Sequence, residues 1–185
     1  TRPCGGWGGC GLRKCVHHSP TQPTMSRAPN PGHFERQHER LDALLHAHLL
    51  DVAGADVTRA LQHLQQWHGG LQEHIAIENT RLLPHVPAGA RWAARVYLLE
   101  HERIALLAEE YRERVQAVAQ QPPQDESGRR HAVLMLLDAA HALRHVLEHH
   151  HEREHTALAH ELPLEVQEAA WRGVGDVRGT CSALP

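Results

Sequence analysis

The stretch Leu143–Leu162, LRHVLEHHHEREHTALAHEL, decides the fold. Leu143, Leu147 and Leu158 recur at helical intervals, and His150 and Glu154 interrupt the same stripe between Leu147 and Leu158. Residues four apart lie on one face of an α-helix, so this imidazole and this carboxylate can aim at one point. The motif occurs twice. HIAIE, His74 to Glu78, sits between Leu71 and Leu82 on another helical stripe, and in both copies a Leu follows the His by eight residues. A buried His or Glu without a partner is costly. Two such pairs facing each other across a helical bundle would make a metal site, with room for two metals.

Working outward, the apolar periodicity predicts four helices. The first spans roughly His33–Val52, with Phe34, His38, Leu41, Leu45, Leu49 and Val52 on its stripe, and Gly54 breaks it. The second spans roughly Asp56–Leu83, with Val57, Leu61, Leu64, Trp67, Leu71, Ile75 and Leu82 inward. Gly69-Gly70 is read as a bend, and Pro84 and Pro87 end the helix. The third spans roughly Gly89–Gln120, with a stripe of Leu98, Ile104, Ala105, Ala108, Tyr111 and Val115, and stops at Pro122-Pro123. The fourth spans roughly Arg129–Glu161, with Val133, Leu136, Ala140, Leu143, Leu147 and Leu158, and Pro163 closes it. Four long helices joined by short links imply an all-α, up-down-up-down four-helix bundle over residues 32–163. Residues 164–185 read as a short helix, LEVQEAAWRG, packing Leu164, Val166, Ala169 and Trp171 on one end, then a frayed tail. Residues 1–31 are Gly- and Pro-rich without a period and are expected to be disordered, with Met25 reading as a natural start.

Composition narrows the function. With 41% hydrophobic residues and only 4% aromatic, the chain favours helix over sheet. A net charge of −3 argues for neither nucleic acid nor an anionic membrane as partner. No apolar run approaches the roughly 20 residues of a membrane span. Cys4, Cys10, Cys15 and Cys181 contain no CxxC pair and lie outside Pro31–Pro163. They read as incidental, and the cysteine-free body fits a reducing cytoplasm.

Among 19 histidines, most must be solvated surface. The candidates are those that interrupt an apolar stripe: His38, His74, His101 and His150, joined by Glu78 and Glu154. His149 competes with His150, since adjacent residues point about 100° apart on a helix. Position 150 is preferred because Glu154 and Leu158 repeat the spacing seen after His74. His46, His48, His63, His68, His141 and His145 lack this context. Four imidazoles and two carboxylates suit two iron ions, with manganese or zinc as alternatives. The glutamates would bridge the ions and the histidines would cap them.

These residues resemble the hemerythrin-like, or HHE cation-binding, family. The resemblance rests on HERLDALLHAHL, EHIAIENTRLLP, LLEHERIALLAEEY and EHHHEREHTALAHEL in the four helices. It implies a non-haem di-iron centre held by His38, His74, Glu78, His101, His150 and Glu154. Oxygen-carrying members have a second His four residues after the third-helix ligand, where this chain has Ala105, and use His-x4-Asp on the last helix. The chain's His-x3-Glu there, with Arg153 beside Glu154, points to the four-His, two-Glu variant. That variant resembles di-iron proteins linked to iron–sulfur cluster repair and nitric oxide stress. This chain shows no counterpart of the cysteine-bearing N-terminal domain those proteins usually carry.

The leading expectation is therefore a protein that binds dioxygen, nitric oxide or a peroxide at an open di-iron site, as sensor, store or scavenger. Ala105 is expected to leave one iron more open, and Tyr97 or Tyr111 to lie near the site. The alternatives are a di-iron enzyme reducing peroxide or nitric oxide or aiding iron–sulfur cluster repair, and a structural bundle holding zinc or no metal.

Overall fold

A computed structural model describes residues 32–173, all within one compact unit, Pro31–Pro185. The expected N-terminal disorder, the four cysteines, Met25, the end of the tail and the side chain of Phe34 fall outside the described residues.

The described residues are helical, with no strand among them. Helix α1 spans His33–Ala53, α2 Val57–Ile77, α3 Ala94–Gln120 and α4 Glu126–Arg153. Two starts are capped by side chains. Asp56 accepts from the Arg59 N–H at 3.0 Å and Asp125 accepts from the Gly128 N–H at 2.7 Å, each satisfying a donor the first turn leaves open. Helix α1 packs against α2, α2 against α3 and α3 against α4, with α4 meeting α1 more lightly.

The predicted stripes of α1, α2 and α4 are largely the observed ones. Leu41, Leu45, Val52, Leu64, Trp67, Leu71, Leu136, Ala140, Leu143 and Leu147 share one apolar core with Ile104, Ala108, Tyr111 and Val115 of α3. Gly69-Gly70 does not end or break α2, which runs on to Ile77. A Cβ on Gly70 would come within 3.1 Å of Leu41, so this glycine lets α1 and α2 approach closely.

Two expectations for α3 need correction. It begins at Ala94 rather than Gly89, because residues 87–93 form turns and Ala93 is extended. Its inward register is set by Tyr97, His101, Ile104, Leu107 and Ala108, while Leu98 and Ala105 are exposed.

The ends of α2 and α4 behave alike. Each passes directly into a π-helical turn, Glu78–Leu82 and Glu154–Leu158. Leu82, Leu83, Leu158 and Leu162 then form a second apolar cluster with Ile77 and Tyr97. A short helix, Leu164–Ala170, folds back over it, and the Arg81 guanidinium donates to the Ala170 carbonyl at 2.9 Å. Val166, Ala170 and Trp171 make this contact, whereas the expected Leu164 and Ala169 face outward.

Candidate metal centre

Each long helix turns one histidine toward a common point, and the ends of α2 and α4 each add a glutamate. His38, His74, His101, His150, Glu78 and Glu154 are all buried, the two glutamates with 0% exposure. They also converge. The Nε2 atoms of His38 and His74 are 3.1 Å apart, and those of His101 and His150 are 3.1 Å apart. The carboxylates lie between the pairs. Glu78 places Oε1 3.2 Å from His74 Nε2 and Oε2 3.1 Å from His101 Nε2. Glu154 places Oε2 3.2 Å from His38 Nε2 and Oε1 3.1 Å from His150 Nε2. Each carboxylate thus divides its two oxygens between the two histidine pairs. The result is two donor sets that share Glu78 and Glu154, each with its donor atoms within 4.8 Å of one another, and each able to hold a metal ion.

Three properties fit these residues to cations. None of the four carboxylate oxygens, all buried, has a partner in hydrogen-bond geometry among the described residues, and each has only an imidazole Nε2 3.1–3.2 Å away. Leaving buried carboxylates so poorly satisfied is expensive unless something else meets them. The spacing of 3.1–3.2 Å between neighbouring donors is also close to the ~3 Å separating two donors bonded at right angles to one ion. Finally, the centre attracts positive charge. Burial pushes the Glu154 carboxyl up, but His150 and its neighbouring imidazoles outweigh burial and hold it well below the ordinary carboxylate range. Burial and Glu154 push Glu78 up, while His74 and His101 bring it below its usual value. In return, burial pulls His150 down, and Glu154 and Glu100 raise it to about 10.

The local backbone is matched at the two glutamates. The Glu78 carbonyl accepts from the Leu83 N–H and the Glu154 carbonyl from the Ala159 N–H, each five residues on. Single π turns of this kind widen a helix locally and recur at functional sites.

Around the imidazoles the two halves differ. His101 Nδ1 donates to the Asn79 amide oxygen at 2.6 Å. His150 Nδ1 donates to Glu100 at 3.2 Å, Glu100 accepts from Arg153 Nε at 2.8 Å, and the Arg153 guanidinium lies 4.3 Å from the Trp92 ring centre. Fixing Nδ1 in this way turns Nε2 toward the centre and fixes the tautomer. On the other side, His38 stacks on His151 with ring centres 4.0 Å apart, and His74 stacks on Trp171 at 5.2 Å. Burial and the adjacent His38 bring His151 down to about 3. His151 also lines a groove of about 870 Å³ between α1 and α4, with Asp42, Leu45, Leu49, Arg144 and Leu147 among its walls.

The remaining candidates separate cleanly. His149 is exposed, so α4 offers His150 to the centre. His48 is buried but occupied elsewhere, its Nδ1 donating to the Ala60 carbonyl and its Nε2 accepting from the Tyr111 hydroxyl, both at 2.7 Å. Tyr111 is therefore a partner of His48 rather than of the centre. Tyr97 lies one turn before His101 and is fully buried, its hydroxyl raised to about 12 by burial and by Glu161 and Glu154. Ala105 faces outward and opens no position at the centre. Asn79, Glu100 and His151 join the centre without standing out on any apolar stripe, and Trp171, expected only to pack on one end, joins them. The usable signal was adjacency, since Asn79, Glu100 and His151 each flank a residue of the centre in sequence. Comparison with protein-family models, curated proteins and solved structures returned no match.

Proposed function

We propose that this protein is a hemerythrin-like, non-haem di-iron protein built on an up-down-up-down four-helix bundle. On this reading it binds a small ligand, dioxygen, nitric oxide or a peroxide, as a sensor, store or scavenger in a reducing cytoplasm. The observation that carries the reading is the division of each carboxylate between two histidine pairs, at 3.1–3.2 Å. One ion would be held by His38 and His74 and the other by His101 and His150, with Glu78 and Glu154 shared. Two imidazoles and two carboxylate oxygens per ion give a mixed donor set that suits iron, manganese or zinc. Four protein donors leave an octahedral ion open to exogenous ligands, and iron would supply reversible redox chemistry there.

The chain's own residues supply the rest. Glu78 and Glu154 offset charge. Asn79 and Glu100 keep the Nδ1 protons of His101 and His150 away from the centre. His151 and Trp171 cover the rings of His38 and His74 and limit water on that side.

The test is metal content and an absorption spectrum on protein purified without air, recorded before and after air is admitted. Two irons per chain, with new near-ultraviolet and visible charge-transfer bands in air, support the reading. Folded protein that carries no iron and takes up none on reconstitution overturns it and leaves a zinc-holding or purely structural bundle.

A further inference from the structure

The outer face of α4 carries a second set of metal-binding side chains, unconnected to the buried centre. His141, His145 and His149 succeed one another at intervals of four, and Glu152 continues the line three residues later. All four are exposed, with the side chains of His149 and Glu152 at 61% and 72%. Residues at i, i+4 and i+7 share one helical face. The side chains already lean together. The His145 and His149 ring centres are 4.5 Å apart, His141 and His145 are 6.4 Å apart, and His149 Nδ1 lies 3.9 Å from Glu152 Oε2. The two cations adjacent to this line in sequence, Arg144 and Arg153, pair with Glu148 at 3.5 Å and with Glu100 at 2.8 Å, so their charge is partly neutralised.

We propose that His145, His149 and Glu152 form a surface site for one divalent ion of the late first transition row, of the zinc, nickel and copper kind, with His141 supporting it from one turn below. Two imidazoles at i and i+4 on a helix are a working metal chelate, because both rings reach one ion by rotation alone. Here those rotations are free, since the rings are exposed. Adding one carboxylate completes a three-donor set that leaves the ion open to water. The set has twice as many imidazoles as carboxylates, which selects for borderline ions over calcium or magnesium. Among such ions copper binds more tightly than nickel or zinc by the Irving–Williams order. An ion bridging successive turns also holds the helix closed, so the folded chain gains stability that grows with the logarithm of ion concentration once the site fills.

The experiment is equilibrium dialysis of the full chain against Zn2+, with the thermal midpoint tracked in parallel. It is run on the wild type, on His145→Asn/His149→Asn, and on Glu78→Gln/Glu154→Gln. The expected result is that the surface variant binds one Zn2+ fewer per chain than the wild type and loses that part of the zinc-dependent rise in midpoint. The buried-centre variant is expected to retain that reversible Zn2+. With one equivalent of Cu2+ added to each protein, the surface substitutions should change the nitrogen coupling seen in the electron paramagnetic spectrum. Equal zinc uptake and equal copper spectra in the wild type and the surface variant would overturn the proposal. Because the surface substitutions touch neither Glu78 nor Glu154, failure here is distinguishable from failure of the buried di-iron reading.

Discussion

The two halves of the centre use the same donors but hold them differently. His101 and His150 are fixed through their outer nitrogens, one by Asn79 and the other by a Glu100–Arg153 pair reaching across from α3 to α4. His38 and His74 lie against the rings of His151 and Trp171. A carboxylate behind an imidazole makes it more basic and orients it, whereas a stacked ring positions it with less effect on its electron density. The difference teaches that a centre symmetric in its innermost atoms can be unequal in affinity. The His101/His150 half should hold its ion more tightly and release it last.

The largest expected effect breaks both halves together. Glu78→Ala removes an oxygen from each donor set, and both ions should be lost when metal content is measured after dialysis. Retention of one ion would show that the carboxylates do not serve both pairs. A smaller effect separates the halves. Glu100→Gln removes charge behind His150 alone and should weaken one ion by about 10- to 100-fold while sparing the other. Chelator competition with stepwise metal release reads this directly, and equal weakening of both steps would erase the distinction.

The smallest effect concerns a buried histidine outside the centre. Burial holds His48 below its ordinary value of 6.5. It therefore takes up a proton less readily when folded than in the unfolded chain, which does so as the pH falls below about 6.5. The unfolded state then binds more protons, so stability falls on acidification by at most about 1.4 kcal/mol per pH unit, and the effect vanishes at higher pH. Urea unfolding at pH 7.5 and 5.5 should show a shallower acid loss in His48→Gln than in the wild type.

Much of this was legible in the sequence because histidine and glutamate are conspicuous on an apolar stripe. His74 stands between Leu71 and Leu82, His150 between Leu147 and Leu158 and His38 between Phe34 and Leu41, although the choice of His150 over His149 rests on the repeat of the His74 spacing. Helix α3 is harder. Leu98-Leu99 and Leu106-Leu107 are adjacent pairs, so either member satisfies the period, and the spacing admits the exposed Leu98 in place of the buried Tyr97. The start of α3 is hidden in the sequence because residues 89–93 contain no capping side chain to mark it. The supports of the imidazoles are illegible for a different reason. Glu100 and Arg153 are 53 residues apart, and nothing local signals that they meet.

The π turns at Glu78–Leu82 and Glu154–Leu158 have a further consequence. A π turn is an α-helix carrying one residue more than its ladder needs, so it acts as a phase shift between the helical turns on its two sides. Upstream of it the helix addresses the centre, and downstream it addresses the apolar lid of Leu82, Leu83, Leu158 and Leu162. Because a π turn spends about one residue more on each rotation than an α-helix does, deleting one residue there would restore an ideal ladder and leave the lid facing nearly as it does now. The extra residue is thus absorbed at the two glutamates, whereas a one-residue deletion between His74 and Glu78, or between His150 and Glu154, would turn one donor by about 100° relative to the other.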